Sequence, residues 1–95
     1  MKYELEFTKI FLKEFNKLSK KSKRIAWEKI EFLELNPYRN KRIKHSNLFL
    51  FRIRFQDRRK EKRVIYQVNK PKVMILCILD RSNNYKDLNF FFKEK

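Results

Sequence analysis

One run, Leu48 to Gln56, alternates apolar residues with arginines and constrains the fold more than any other segment. In a β-strand, successive side chains point to opposite faces of the sheet. One face of this strand carries Phe49, Phe51, Ile53 and Phe55, and the other carries Leu48, Leu50, Arg52 and Arg54. Because an aromatic row suits a core, the pattern predicts a half-buried strand with two neighbouring arginines on an open sheet face.

The chain before this run has the pattern of one strand and two helices. Apolar residues alternate with charged ones over a short strand at Tyr3, Leu5 and Phe7. Thr8 is placed to cap a first helix, which buries Phe11, Phe15 and Leu18 at helical spacing. After a tight turn at 19–22, Ser22 is expected to cap a second helix that ends at Asn36-Pro37. Its buried stripe is predicted to be Ala26, Trp27, Ile30 and Leu33.

The chain after the second helix is predicted to be mainly strands. Residues 38–47 form a basic loop, and strands follow at 48–56, 63–69 and 73–80. Residues 57–62 are expected to be a charged, mobile hairpin tip. Tyr66 alternates with Val64 and Val68 and is expected in the core. Residues 85–93 are predicted to form a last helical turn or a short strand.

This order predicts an α+β fold in a single domain over residues 1–95. It has an N-terminal strand, an antiparallel helix hairpin packed on one sheet face, and a three-stranded antiparallel meander. Arg52 and Arg54 point to the other face, while Arg63 opens the next strand and Arg81 follows the last. A small sheet with these arginines suits an anionic partner, and RNA is the partner that the pattern favours.

Composition supports a polyanionic partner and excludes several function classes. The formal net charge is +15, from 26 Lys and Arg against 11 Asp and Glu. The chain has no glycine, which excludes a glycine-rich phosphate loop. A single cysteine, Cys77, lies in an apolar run and is expected to be a buried thiol in a reduced, cytoplasmic protein. With one His and one Cys, no metal site or cofactor is expected, and no apolar run is long enough to cross a membrane.

Three motifs lie in order along the second half of the chain: Phe51-Arg52-Ile53-Arg54-Phe55, Arg63-Val64-Ile65-Tyr66-Gln67-Val68, and Ile78-Leu79-Asp80-Arg81 with Tyr85. They resemble the motifs of the RelE/ParE toxin superfamily, and more closely those of its RelE-like mRNA interferases, and the resemblance spans nearly the whole chain. The N-terminal apolar pattern and Asn36-Pro37 fit the same template. The resemblance implies the toxin of a toxin–antitoxin system that cuts mRNA on the ribosome and inhibits translation.

In this family a ribose 2′-OH attacks the adjacent phosphodiester, so no metal or protein nucleophile is required. The resemblance assigns catalysis to Arg52, Arg54, Arg63, Arg81 and Tyr85. Arg63 would stabilise the transition state, and Arg81 would bind the scissile phosphate or the leaving group. Tyr85 would stack on a base or orient the ribose.

One departure from the family concerns the general base. Arg52 and Arg54 stand where RelE has lysines, and a guanidinium effectively cannot be deprotonated. Tyr85 and His45 are candidate bases elsewhere. The remaining readings are catalysis by electrostatics alone, a ParE-like toxin acting on DNA gyrase or another protein without RNA cleavage, and a catalytically degenerate RNA-binding toxin fold.

The expected partners follow from the charge and the resemblance. An acidic, RelB-like antitoxin would neutralise the toxin, folding as it binds. Ribosomal RNA would be contacted through cations of the helix hairpin, which position the protein without reading sequence. These cations are Lys13, Lys17, Lys20, Lys21, Lys23 and Arg24.

Overall fold

The fold is a five-stranded mixed sheet with two helices packed on one of its faces. The computed structural model describes residues 2–43 and 49–80. The elements in chain order are β1 (Glu4–Phe7), α1 (Lys9–Asn16), α2 (Lys20–Glu31), a 3₁₀ turn (Phe32–Glu34), β2 (Lys41–Ile43), β3 (Leu50–Asp57), β4 (Lys60–Asn69) and β5 (Lys72–Asp80). The strand order is β1-β5-β4-β3-β2, and the predicted α+β fold class is confirmed.

Strand β1 closes one side of the sheet by pairing parallel to β5, far along the chain. Leu5 lies opposite Val73 in this register, and Phe7 lies opposite Ile75. At the end of β1 the Thr8 hydroxyl donates to the Leu76 carbonyl and accepts from the Phe11 amide at 3.0 Å. The predicted N-cap is therefore confirmed, and the same side chain ties the start of α1 to the sheet.

The core lies between the helices and the aromatic face of the sheet. It contains the predicted β3 residues Phe51, Ile53 and Phe55, each at most 4% exposed. From the helices, the turn between them and the 3₁₀ turn it receives Phe11, Leu18, Ala26, Ile30 and Leu33. Burying these large apolar side chains is the main stabilising term of the fold. Phe49, expected in the same buried row, precedes the first residue of β3 and is 49% exposed.

The start of α2 and the position of Trp27 differ from the predictions, since the helix already begins at Lys20 within the expected turn. Ser19, rather than Ser22, caps α2, because its hydroxyl accepts from the Ser22 amide at 3.2 Å. The buried Ser22 hydroxyl instead donates to the Gln56 carbonyl at 3.1 Å. Trp27 lies beside the buried stripe rather than in it, is 37% exposed and stacks on Phe7.

Two connections also differ from their predictions. Residues 41–43, expected in a loop, form β2 and pair antiparallel with β3. The expected mobile tip at 57–62 is a two-residue turn, because β3 and β4 run on until Asp57 faces Lys60. Arg58 and Arg59 make this turn with φ of 52° and 70°, a left-handed conformation that asparagine and glycine adopt more readily.

The sheet face away from the helices has its own buried apolar cluster. It comprises Ile43, Leu50, Ile65, Leu76, Cys77 and Leu79. A bulge in β5, opposite Ile65 and Tyr66, accommodates one extra residue in that strand. Cys77 is buried, as expected, and so is Tyr66 on the helix face.

Several expectations concern parts of the chain outside the described residues. These are His45, Leu48, Arg81, Tyr85 and the last segment, 85–93. The extent of the domain over residues 1–95 likewise stays a prediction. None of the helices within 2–43 and 49–80 is long and apolar enough to cross a membrane.

Candidate nucleic-acid interface

Four cations lie side by side on the sheet face that the helices do not cover. The register places Lys41 of β2 opposite Arg52 of β3, and Arg54 of β3 opposite Arg63 of β4. Directly opposed side chains in an antiparallel pair have Cβ atoms about 5 Å apart. Like charges so placed destabilise a sheet, and this arrangement therefore suits an anion that binds across the strands.

Arg63 is largely enclosed by its neighbours and forms an ion pair. Its guanidinium lies 3.4 Å from a carboxylate oxygen of Glu61, and the two side chains are 14% and 22% exposed. Glu61 and Arg63 are two residues apart on one strand, so both side chains lie on the same face. The ion pair fixes the guanidinium, and it places one carboxylate beside the cluster.

Buried apolar residues surround the cluster. Arg52 lies opposite Ile65, and Arg63 lies opposite Leu79, both of them within the apolar cluster of this face. Charges beside such a surface interact more strongly with an anion than charges in open water. The arrangement can bind phosphate oxygens and can stabilise charge that develops on them.

An open groove of about 650 Å³ runs next to the cluster, along the β3 edge beyond the end of β2. It is lined by Lys29, Phe32, Asn36, Arg39, Asn40, Lys41, Arg52, Ile53 and Arg54. The Lys29 ammonium donates to the Arg54 carbonyl at 2.7 Å, and the Ser22 hydroxyl donates to the Gln56 carbonyl. Side chains of α2 thus satisfy carbonyls on a stretch of β3 edge, 53–57, that has no strand partner among the described residues.

Burial and hydrogen bonding shift the pKa values of two side chains, Tyr66 and Asp57. Burial raises the pKa of Tyr66 to about 12, although Asn40 hydrogen-bonds to its hydroxyl, so this phenol is no base at neutral pH. Burial alone would raise the pKa of Asp57. Hydrogen bonds from Ser22 and Ser19, together with Arg58, outweigh it and hold that pKa below its usual value.

The chain resembles known proteins in its fold more clearly than in its sequence. No protein-family model and no curated protein sequence matches the chain. Solved structures do match. A chain of the archaeal RelE–RelB complex from Pyrococcus horikoshii OT3 shares 26% identity, with a TM-score of 0.69 over 87% of this chain and 99% of that one.

Two Escherichia coli structures match in the same way. A chain of the intact RelBE toxin–antitoxin complex is 24% identical, with a TM-score of 0.68 over 85% of this chain and 99% of that one. The isolated RelE toxin is 22% identical, with a TM-score of 0.68 over 97% of both chains. The chain has the RelE-like toxin fold. This similarity supports a toxin of a toxin–antitoxin system.

On the RelE-like fold, three of the five residues predicted for catalysis come together. Arg52, Arg54 and Arg63 lie on one face of adjacent strands. The other two, Arg81 and Tyr85, lie outside the described residues, as does His45, and their roles stay predictions. Residues 2–43 and 49–80 contain no group of three or more His, Cys, Asp or Glu that could hold a metal ion.

Sequence reasoning missed two residues of this interface. Lys41 lies in a three-residue strand, which is too short to show a periodic pattern. Glu61 falls in the predicted hairpin tip, whereas β4 begins one residue before it. Its spacing from Arg63 was the available signal, because residues i and i+2 of a strand share a face.

Proposed function

We propose that the chain is the toxin of a toxin–antitoxin system and cleaves mRNA on the ribosome. The observation that carries the proposal is the strand register, which sets Lys41 opposite Arg52 and Arg54 opposite Arg63 on one open sheet face. A phosphodiester laid across β2, β3 and β4 would meet guanidinium groups from neighbouring strands. Guanidinium groups bind phosphate oxygens in bidentate fashion and keep their charge through the reaction.

The proposed reaction is a transesterification within the RNA. The 2′-oxygen forms a bond to the adjacent phosphorus, and the bond from phosphorus to the 5′-oxygen breaks. The products are a 2′,3′-cyclic phosphate and a 5′-hydroxyl. Arg63, held by Glu61, would stabilise the charge that accumulates on the phosphorane oxygens, and Arg52, Arg54 and Arg81 would share this task.

Two protons must move in this reaction. One leaves the 2′-hydroxyl, and one reaches the departing 5′-oxygen. Lys41 is suited to the second transfer, because an ammonium can release a proton and a guanidinium effectively cannot. Three residues are candidate acceptors for the first proton: Tyr85, His45 and Glu61. Of these, Glu61 forms the ion pair with Arg63.

The proposed partners are a cognate acidic antitoxin, the ribosome and mRNA in the cytoplasm. The solved RelE–RelB and RelBE complexes support the antitoxin, and a net charge of +15 supports an acidic one. Exposed cations of the helix hairpin, such as Lys13, Lys20 and Arg24, would contact backbone phosphates of ribosomal RNA.

Primer extension on a reporter mRNA in a reconstituted translation system tests the proposal. We expect cuts at codon-spaced positions that require ribosomes. Arg63→Ala should reduce the cleavage rate by about 10²–10³-fold, the usual effect of removing one group that stabilises transition-state charge. Arg81→Ala should act in the same direction, whereas Lys70→Ala, in the exposed turn at the other end of β4 from Arg63, should cut at the wild-type rate. Intact mRNA with wild-type protein would refute the proposal.

A ParE-like activity is the second candidate, favoured by Arg52 and Arg54 in place of the family's lysines. Such a toxin would inhibit DNA gyrase without cutting RNA. A gyrase supercoiling assay separates the two, because the mRNA-cleaving toxin should leave supercoiling unchanged.

A further inference from the structure

The groove beside the arginine cluster is strongly basic and contains an exposed aromatic ring. Five of its nine lining residues are cations, and none of those nine is acidic. Phe32 is 57% exposed, and the Arg39 guanidinium lies 5.6 Å from the centre of its ring. An exposed ring beside an arginine is the surface on which proteins stack the bases of single-stranded RNA.

Two asparagines supply the groove with hydrogen-bonding groups in fixed orientations. The side-chain oxygen of Asn36 accepts from the Tyr38 amide at 3.2 Å, and the side-chain nitrogen of Asn40 donates to the Tyr66 hydroxyl at 3.1 Å. The Asn36 nitrogen and the Asn40 oxygen are not used in these bonds. A donor and an acceptor are thus present next to the ring, as recognition of a base edge requires.

The walls of the groove are held in place by bonds to the rest of the fold. The Tyr66 hydroxyl donates to the Pro37 carbonyl at 2.8 Å, which anchors the segment between the 3₁₀ turn and β2. On the opposite side Lys29 is bonded to the Arg54 carbonyl. A site with fixed walls loses little conformational entropy when it binds a ligand.

The groove is continuous with the cation cluster, because Lys41, Arg52 and Arg54 belong to both. Its volume of about 650 Å³ lies within the range usual for small-ligand sites. A ligand in the groove would therefore lie next to any phosphate held by the cluster.

We propose that this groove is a nucleotide subsite for the RNA strand, beside the phosphate that the toxin cleaves. The base stacks on Phe32 with Arg39 alongside, Asn36 and Asn40 contact its polar edge, and Lys29 and Lys41 neutralise the adjoining phosphates. This inference rests on the proposed function, since it places the subsite on the substrate strand. RNA is favoured over an acidic peptide because carboxylates would use the cations but neither the ring nor the amide pair.

Binding of a short single-stranded RNA tests the subsite without cleavage. We would use a fluorescent RNA of about six nucleotides with 2′-O-methyl sugars, which have no free 2′-hydroxyl to react, and measure anisotropy without ribosomes. Phe32→Ala should weaken binding by about 5–150-fold, the range for loss of one base stack, and Phe32→Tyr should restore it. Leu35→Ala, an equally exposed apolar residue outside the groove, is the matched control and should bind as wild type.

Salt dependence separates the ring from the charges. Lys41→Ala should lower the slope of log Kd against log salt by roughly 0.7, the value for one phosphate contact on a single strand. Phe32→Ala should weaken binding with the slope unchanged. Lys70→Ala removes one positive charge outside the groove and should match wild type.

Two results would overturn the inference. One is Phe32→Ala binding RNA as tightly as Leu35→Ala. The other is a polyglutamate peptide that displaces the RNA from wild type and from Phe32→Ala equally well, which would identify the groove as an acidic-peptide site. The binding assay involves no cleavage, so its result does not depend on the translation assay. An intact mRNA in the translation assay would refute the proposed function, and the binding result would still test the subsite.

Discussion

The two faces of the central sheet are made by the same strands but serve opposite purposes. Towards the helices, β3 presents Phe51, Ile53 and Phe55 to the buried core. Towards the other side it presents Arg52 and Arg54, each opposite another cation. The first face gains free energy from burial, whereas the second concentrates like charge at a cost. Folding stability therefore does not explain the cluster, whereas binding of an anionic ligand does.

Substitution on the side of the sheet that faces the helices should lower stability the most. Phe51→Ala removes a ring that is 4% exposed, and it should lower the free energy of unfolding by about 3–5 kcal/mol. Arg54→Ala, on the exposed face of the same strand, should change stability by less than about 1 kcal/mol. Urea denaturation followed by circular dichroism measures both. Equal losses for the two variants would mean that both faces are structural.

On the charged face, substitution of Lys41 tests whether this residue supplies a proton or only a charge. Lys41→Arg keeps the charge opposite Arg52 but removes a group able to release a proton. We expect a cleavage rate about 10²-fold lower, the lower bound for general acid catalysis, with RNA binding unchanged.

The split between rate and binding distinguishes this role from a positioning role. A proton donor should lose cleavage with RNA affinity unchanged, whereas a positioning residue should lose both together. A full rate for Lys41→Arg would show that Lys41 supplies only charge.

The turn between β3 and β4 should have a smaller effect on stability. Arg58 and Arg59 both adopt positive φ, which costs about 1–2 kcal/mol for a residue that carries a Cβ atom. The double variant Arg58→Asn with Arg59→Gly introduces the preferred pair for such a turn, and it should raise the free energy of unfolding by about 1–2 kcal/mol. The control Arg58→Ala with Arg59→Ala removes the same charges but keeps the strain. If both double variants gain equally, charge repulsion rather than backbone strain is the cause.

The smallest effect should come from relieving one cation pair. Arg54→Gln removes the repulsion with Arg63 and should stabilise the fold by roughly 0.2–1 kcal/mol at low salt, while cleavage falls. The gain should shrink as salt screens the charges. Thermal unfolding at two salt concentrations measures it, and a loss of stability at low salt would show that the pair is held by other contacts.

Local patterns predicted much of the fold and part of the site. The alternation in β3 placed three aromatic or aliphatic residues in the core and Arg52 and Arg54 on the other face, as observed. Thr8 caps α1 because its side-chain oxygen reaches an amide three residues ahead. The prediction for Trp27 is wrong because this residue borders the buried stripe of α2, where a helical pattern cannot separate margin from centre.

For α1, α2 and β3, the amino-acid pattern indicates most of the residues that turn inward, because side-chain direction repeats with the period of the backbone. Tertiary packing alone sets which distant segments lie together. It paired β1 with β5, set Lys41 opposite Arg52, and opened the basic groove between Phe32 and the β3 edge. Such neighbours depend on the register and packing of whole elements, and no local period records them.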